Sequence, residues 1–137
     1  MEINKILLLT HGEWGQALIK SVRMIMGETD GVVAVPLMPE ETLNDYYEKV
    51  KGQLDDSPRS LVFTDLFGGT PSNVAARLSQ DFPIQVIAGL NAPMLMEAMM
   101  TRNLSMSDAD RSARIVETGS TSCLDVVSKI KNSMGKE

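Results

Sequence analysis

The 137-residue sequence has little of several residue classes, and each scarcity narrows what the protein can be. Lys and Arg number 13 against 18 Asp and Glu, a net charge of −5, which argues against binding nucleic acid, since phosphate backbones require clustered cations. Cys123 is the only cysteine, so an intramolecular disulfide is impossible and a reducing, cytoplasmic compartment is expected. The aliphatic run after Lys5 is too short for a signal peptide or a membrane span.

Short aliphatic runs are present instead, and they recur along the chain. "ILLL" begins at Ile6, "VVAV" at Val32, "LVF" at Leu61 and "IQVIA" at Ile84. Runs without strict alternation are typical of strands buried on both faces of a parallel sheet. Each interval has room for one helix and two loops. The sequence therefore predicts one domain, residues 1–137, with an α/β fold in which helices cover both faces of an open, doubly wound, mainly parallel sheet.

Apolar spacing and capping residues predict the helices between these strands. The first stripe is Trp14, Leu18, Val22 and Ile25, ending at Gly27, and the second is Leu43, Tyr46, Tyr47, Val50 and Leu54, capped by Thr42. The third helix is predicted to have Thr70 as its cap and Pro71 at its first position, with Val74, Ala75 and Leu78 facing the core.

The second half of the chain carries three more helix signals. Asn91 is predicted to cap a helix through "APMLMEAMMTR", and Ser107 with Asp110 resembles a capping box. "TGSTS", residues 118–122, is predicted to interrupt the chain before a last helical pattern at Leu124, Val127 and Ile130.

The only histidine of the chain lies where the first predicted strand ends. In open α/β sheets, ligands bind outside the carboxyl ends of the strands. His11 follows the first run, Asp65 follows the third, and Gly68, Gly69 and Thr70 open the helix behind Asp65. We therefore expect these five residues to converge at one edge of the sheet.

These residue types suit a nucleophilic imidazole. A carboxylate that accepts a hydrogen bond from Nδ1 fixes the tautomer in which Nε2 is free to attack, and stabilises the ring when it becomes cationic. Amides at a glycine-rich helix start, with the Thr70 hydroxyl, can bind phosphoryl oxygens without a metal. Each residue also has a structural interpretation: His11 as a hydrogen-bonded loop residue, Asp65 as a loop cap, and the glycines as a tight turn.

Other chemistries lack their signatures. The sequence has neither G-x-x-x-x-G-K-[ST] nor G-x-G-x-x-G after the first strand, so the usual nucleotide sites are missing. One His and one Cys cannot build a typical zinc site. Ser72 could act in a hydrolase, but no G-x-S-x-G elbow surrounds it. Phosphoryl carriage on histidine is the interpretation that remains.

The motifs "THG", "FTDLFGGTPSN" and "VIAGLNAPMLMEAM" closely resemble the mannose-family IIA component of the bacterial phosphoenolpyruvate:sugar phosphotransferase system. The resemblance extends from Ile6 to about Thr121. It implies a phosphotransferase without a cofactor or metal, in which His11 takes a phosphoryl group from phospho-HPr on Nε2 and passes it to a IIB component. It further implies that Asp65 orients the ring, that Thr70 contacts the phosphoryl group, and that Gly68 and Gly69 form the turn beside it.

The resemblance also implies partners. Phe67 and Leu66 would lie at a partner surface, and a homodimer is expected, with Met94, Met96, Met99 and Met100 either at its interface or filling the core. IIB is expected to be a separate protein, with membrane contact only through a IIC/IID complex. An antiparallel edge strand is possible after Ser122. Two alternatives remain open: a phosphocarrier for a dihydroxyacetone kinase, and a regulatory domain that uses phosphohistidine as a signal.

Overall fold

Four parallel strands form the centre of the structure, a computed structural model that describes residues 2–135. The strands are β1 (Lys5–His11), β2 (Val32–Leu37), β3 (Ser60–Thr64) and β4 (Ile84–Ala88). They pair in the order β2-β1-β3-β4, and every neighbouring pair is parallel. The chain thus leaves β1 toward one side for β2 and returns to its other side for β3, which makes the carboxyl ends of β1 and β3 a switch point.

Six helices accompany the sheet in the described part of the chain. They are α1 (Trp14–Met26), α2 (Leu43–Leu54), α3 (Gly69–Leu78), α4 (Ala92–Thr101), α5 (Asp108–Thr121) and α6 (Val126–Gly135). No helix among residues 2–135 combines the length and the apolar character that crossing a bilayer requires.

The core has two halves because alternate residues of a strand point to opposite faces. Ile6 and Leu8 of β1 pack toward α1, α4 and α5, whereas Leu7 and Leu9 pack toward α2 and α3. All four side chains are fully buried. The predicted doubly wound α/β fold is therefore confirmed.

Most predicted helix ends are confirmed. Gly27 ends α1 with a φ of 94°, which a residue with a side chain rarely adopts. Thr42 begins α2 in a complete capping box with Asp45. The side chains of Asn91 and Ser107 each accept a hydrogen bond from the backbone three residues later, at the starts of α4 and α5.

The prediction for the start of α3 is wrong by two residues. Gly68, with a φ of 87°, precedes the helix, and Thr70 and Pro71 lie inside its first turn instead of at its cap and first position. The two glycines turn the chain immediately after β3, so the helix begins earlier than the Thr-Pro signal suggested. Pro71 is tolerated there because amides of the first turn have no partner within the helix.

Two apolar stripes are partly wrong. In α1 the buried residues are Gly15, Ile19 and Val22, while the predicted Trp14 and Ile25 are 41% and 65% exposed. The Gly15 side of the helix faces inward, where an added Cβ would lie 3.4 Å from the Thr10 side chain and 3.5 Å from that of Ala34. In α2, Tyr46, Val50 and Leu54 are buried as predicted, but Leu43 is half exposed.

The predicted interruption at residues 118–122 is wrong, because α5 continues to Thr121. Contacts with α4 stabilise this end of the helix: the Thr118 hydroxyl donates to Glu97 at 2.9 Å, and Asn91 Nδ2 donates to the Gly119 carbonyl at 3.4 Å. Tertiary contacts thus outweigh the low helix propensity of this stretch.

The chain after Ser122 forms a helix, so the possible antiparallel edge strand is absent from residues 2–135. Every residue of α6 is exposed, including its apolar side chains Val126, Val127, Ile130 and Met134. Within α4, Met94 is buried, Met96 and Met99 are partly buried against the core, and Met100 is 61% exposed. Core filling therefore accounts for most of the methionine cluster.

Candidate functional site

His11 and Asp65 meet because adjacent parallel strands end side by side. His11 is the last residue of β1, and Asp65 directly follows β3. The backbone N–H of His11 donates to Asp65 Oδ2 at 2.7 Å, and Nδ1 of the His11 ring lies 2.9 Å from the same oxygen. The carboxylate therefore contacts both the backbone and the ring of the histidine.

The ionisation state of Asp65 determines which nitrogen of the His11 ring carries the proton. Burial raises the pKa of Asp65, but hydrogen bonds from the His11 backbone and ring, the charge of His11 and the Leu66 N–H outweigh it, so the pKa lies below its usual range. An ionised carboxylate can only accept hydrogen bonds. Nδ1 of a neutral His11 must then carry the proton, which leaves Nε2 with a free lone pair.

The two side chains differ in access to solvent. The His11 side chain is 47% exposed, whereas that of Asp65 is 7% exposed. His11 and Thr70 line one shallow cavity of about 300 Å³. Its other lining residues come from the end of β2, the loop behind it and the start of α2, among them Leu37, Pro39 and Leu43. A buried carboxylate thus supports a ring that a second molecule can reach.

Gly69 lies directly against the imidazole. Its φ is 82°, and a Cβ added to it would be 3.3 Å from Cε1 and 3.6 Å from Nε2 of His11. Gly68 also has a positive φ, 87°, but a Cβ there would contact nothing within 4 Å. Both glycines serve the turn, and Gly69 additionally allows the close approach of α3 to the ring.

The remaining predicted site residues surround this pair. Thr70, in the first turn of α3, is half-buried at the cavity wall. Leu66 and Phe67, in the loop between β3 and α3, are 59% and 96% exposed. Large apolar side chains this exposed beside a polar site are typical of contact surfaces.

Three hydroxyl residues contribute to the site without having been predicted as part of it. Thr10 donates to the Gly12 carbonyl at 2.7 Å, which supports the turn that follows His11. Thr64 and Ser72 bond to each other at 2.7 Å, and the Ser72 hydroxyl donates to the Leu66 carbonyl. Their signal was position: hydroxyl residues beside Gly-rich turns often bond to nearby backbone.

A second cavity of the surface contains none of the predicted site residues. This cavity of about 740 Å³ lies at the amino ends of the strands, where Arg102 donates to the carbonyls of Ile3, Asn4 and Asp30. Among residues 2–135, no group of three His, Cys, Asp or Glu side chains is arranged to hold a metal ion.

Comparison with known proteins identifies the family. Residues 5–116 match the family model described as "PTS system fructose IIA component". The chain belongs to this family of sugar phosphotransferase IIA components. The resemblance predicted from the motifs is thereby confirmed.

Curated relatives support the same assignment. The chain is 31% identical over 134 residues to the fructose-specific EIIA component of Bacillus subtilis, covering 93% of this chain and 92% of that one. It is 36% identical over 118 residues to the mannose-specific EIIAB component of Escherichia coli strain K12, covering 83% of this chain. That match covers 36% of the Escherichia coli protein, so this chain spans about a third of that relative's length.

Solved structures of IIA components share the fold. EIIA from Streptococcus agalactiae superposes with a TM-score of 0.84 at 31% identity, covering 90% of this chain and 98% of that one. The mannose/sorbose-specific IIA subunit from Enterococcus faecalis gives a TM-score of 0.78 at 30% identity, covering 91% and 95%.

Proposed function

We propose that this IIA-family chain is a phosphoryl-transfer intermediate, which accepts a phosphoryl group from phospho-HPr on His11 and passes it to a IIB component. The observation that carries the proposal is the pairing of a half-exposed imidazole with a buried, ionised carboxylate through Nδ1. This pairing leaves the nucleophilic nitrogen facing away from the carboxylate, as an acceptor of phosphate requires.

In the proposed step, the Nε2 lone pair of His11 attacks phosphorus. On the opposite side, the bond between phosphorus and the atom of HPr that carried it breaks, and that atom keeps the electron pair. The Nδ1 proton stays in its hydrogen bond to Asp65, whose charge compensates the ring as it becomes cationic. Delivery to IIB is the same displacement with Nε2 as the leaving group. No cofactor or metal ion takes part.

The start of α3 is proposed to bind the transferred group. Gly69 lies beside Cε1 and Nε2 of the ring, so phosphoryl oxygens on Nε2 would approach the first turn of α3. Unpaired amides at a helix start attract anions. Thr70, at the wall of the same cavity, could add its hydroxyl.

Partners are proposed to dock around the same edge. Leu66 and Phe67 offer an apolar contact next to His11, and the acidic net charge favours partners with a basic surface. The chain itself would act in the cytoplasm, where the exposed, free Cys123 stays reduced, and would meet the membrane only through a IIC/IID complex.

A homodimer is proposed from the fully exposed helix α6. Val127, Ile130 and Met134 form one apolar stripe at helical spacing, and all three are more than half exposed. Such a stripe gains stability by packing against a second copy.

The test of the proposed function is intact-mass analysis after mixing the protein with phosphoenolpyruvate, enzyme I and HPr. Wild type should gain one acid-labile phosphoryl group, and His11→Ala should gain none. Asp65→Asn should slow the gain of the phosphoryl group strongly while lowering Tm only slightly. No gain by wild type in the presence of phosphorylated HPr would contradict the proposal.

The second half of the reaction is tested by adding IIB to the phosphorylated protein. Loss of the added mass from His11, with its appearance on IIB, is expected. Delivery to a dihydroxyacetone kinase instead would identify that alternative, and a stable phosphohistidine that no acceptor discharges would indicate a regulatory domain.

A further inference from the structure

The backbone of Leu66 is anchored on both sides of its Cα. Its N–H donates to Asp65 Oδ1 at 2.9 Å, and its carbonyl accepts a hydrogen bond from the Ser72 hydroxyl. The loop residue next to Asp65 therefore links the carboxylate to the second turn of α3.

Thr64 extends this link into the sheet. Its side chain is fully buried at the end of β3, and its Oγ1 lies 2.7 Å from Ser72 Oγ but 3.4 Å from the Leu66 carbonyl. A carbonyl can only accept, so the single hydroxyl proton of Ser72 is used on Leu66, and Thr64 donates to Ser72. Two hydrogen bonds in series, from strand to helix to loop, polarise each other.

We propose that Ser72, supported by Thr64, is a positioning residue for Asp65 and, through Asp65, for the tautomer of His11. The hydroxyl holds the Leu66 backbone so that its N–H occupies Oδ1. The other carboxylate oxygen, Oδ2, is then directed at the backbone and ring nitrogens of His11. Without the hydroxyl, the loop can rotate. Oδ1 of Asp65 is then no longer held at the Leu66 N–H, and Oδ2 is no longer held at the nitrogens of His11.

The histidine ring can report this effect directly. His11 is the only histidine in the chain, so ring ¹⁵N signals need no assignment among several imidazoles. At about pH 9, well above the ordinary titration range of an imidazole, the ¹⁵N shifts measure the fraction of each neutral tautomer. This readout requires neither HPr nor phosphate.

Ser72→Ala should lower the fraction of the Nδ1–H tautomer. Ser72→Thr, which keeps a hydroxyl group, should leave that fraction near its wild-type value. Ser79→Ala is the matched control, because Ser79 follows the same helix and its hydroxyl also donates to a backbone carbonyl, that of Ala76, at 2.6 Å. The control should leave the ring shifts unchanged. If Ser72→Ala does not fold, Thr64→Val, which removes the supporting hydroxyl but keeps the shape, should move the shifts in the same direction.

The consequence for phosphoryl transfer rests on the proposed function. Ser72→Ala should slow phosphorylation by phospho-HPr between about threefold and tenfold, the loss expected for one hydrogen bond, and Ser79→Ala should not. Ring shifts identical to wild type in a folded Ser72→Ala protein would overturn the positioning role. Altered shifts in a protein that HPr never phosphorylates would support the positioning role and contradict the proposed function.

Discussion

Gly68 and Gly69 stand next to each other in the chain, both with positive φ, yet only at Gly69 would an added Cβ contact the histidine ring. Alanine at either position would be forced into a backbone conformation that costs about 1–3 kcal/mol. Only at Gly69 would the new methyl group also crowd Cε1. Comparing alanine variants at the two positions therefore distinguishes an effect on the stability of the turn from an effect on the His11 site.

At the residue scale, we predict that Gly68→Ala and Gly69→Ala lower the free energy of unfolding by similar amounts, about 1–3 kcal/mol each. Gly69→Ala alone should also shift the His11 ring signals and slow phosphorylation. Urea denaturation and ¹⁵N NMR check the two effects. Equal ring perturbation by both variants would contradict the assigned contact.

Asp65 carries a second prediction at this scale, for acid stability. Because its pKa is lowered on folding from the usual 3.8, the ionised carboxylate stabilises the fold above that value, and the stabilisation is lost as pH falls through the lowered pKa. Asp65→Asn should therefore flatten the decline in stability below about pH 4. Urea midpoints from pH 2 to 7 measure the decline, with Asp56→Asn, at a mainly exposed side chain, as control.

The contact of His11 with Asp65 was predictable because strand ends in a parallel sheet share one edge. The support by Thr64 and Ser72 was not, since it depends on which hydroxyls the turn of α3 brings to the Leu66 carbonyl. Thr70 offered the stronger local signal for a helix cap, and the backbone freedom of Gly68 displaced it. Residue types and their positions thus predicted which side chains meet at this edge, while side-chain direction required the structure.

At the scale of elements, two helical glycines occupy opposite environments. Gly52 lies in α2, where an added Cβ would contact nothing within 4 Å. Gly119 lies in α5, where an added Cβ would overlap the Met94 side chain, with Sδ only 2.8 Å away. The close packing of α5 on α4 depends on the second glycine.

We predict opposite signs for the same substitution in these two helices. Gly52→Ala should stabilise the protein by about 0.5–1 kcal/mol, because alanine has the higher helix propensity. Gly119→Ala should destabilise it by about 1–3 kcal/mol, because Met94 must leave its place in the core. Thermal and urea unfolding compare the variants. A stabilising Gly119→Ala would mean that α4 and α5 can separate without cost.

The order of elements was predictable from the aliphatic runs and capping residues, but helix faces were not. Trp14 and Ile25 continue the apolar spacing of α1, yet the helix buries its Gly15 side, where Thr10 and Ala34 would be in contact distance of an added Cβ. Periodicity alone cannot distinguish a core stripe from an apolar surface. The end of α5 was also not predictable from the sequence, because the helix is extended there by a contact with Glu97 of α4.

At the scale of the whole molecule, helix α6 is the element with the least support from the rest of the chain. All its residues are exposed, and its apolar stripe has no cover within residues 2–135. The uncovered apolar stripe is the observation on which the proposed homodimer rests.

We predict that Val127→Glu combined with Ile130→Glu converts a dimer to a monomer, because charges on the stripe cannot be buried at an interface. Asn132→Glu, on the opposite side of α6 by helical geometry, should leave the dimer intact. Sedimentation velocity measures the mass in each case. A monomeric wild type would contradict the homodimer. A single cooperative unfolding transition of the double variant would show that it is folded, even if its midpoint is lower because the dimer contact is lost.

The central position of β1 has a kinetic consequence. β1 is paired along both edges, with β2 and β3, so amides such as Leu8 can exchange with deuterium only when the sheet itself comes apart. Amides of α6 can exchange through local fraying, on a far shorter timescale. His11 is the last residue of β1, which is one of the two inner strands of the sheet. Its backbone is therefore expected to stay in register while less supported elements such as α6 open and close.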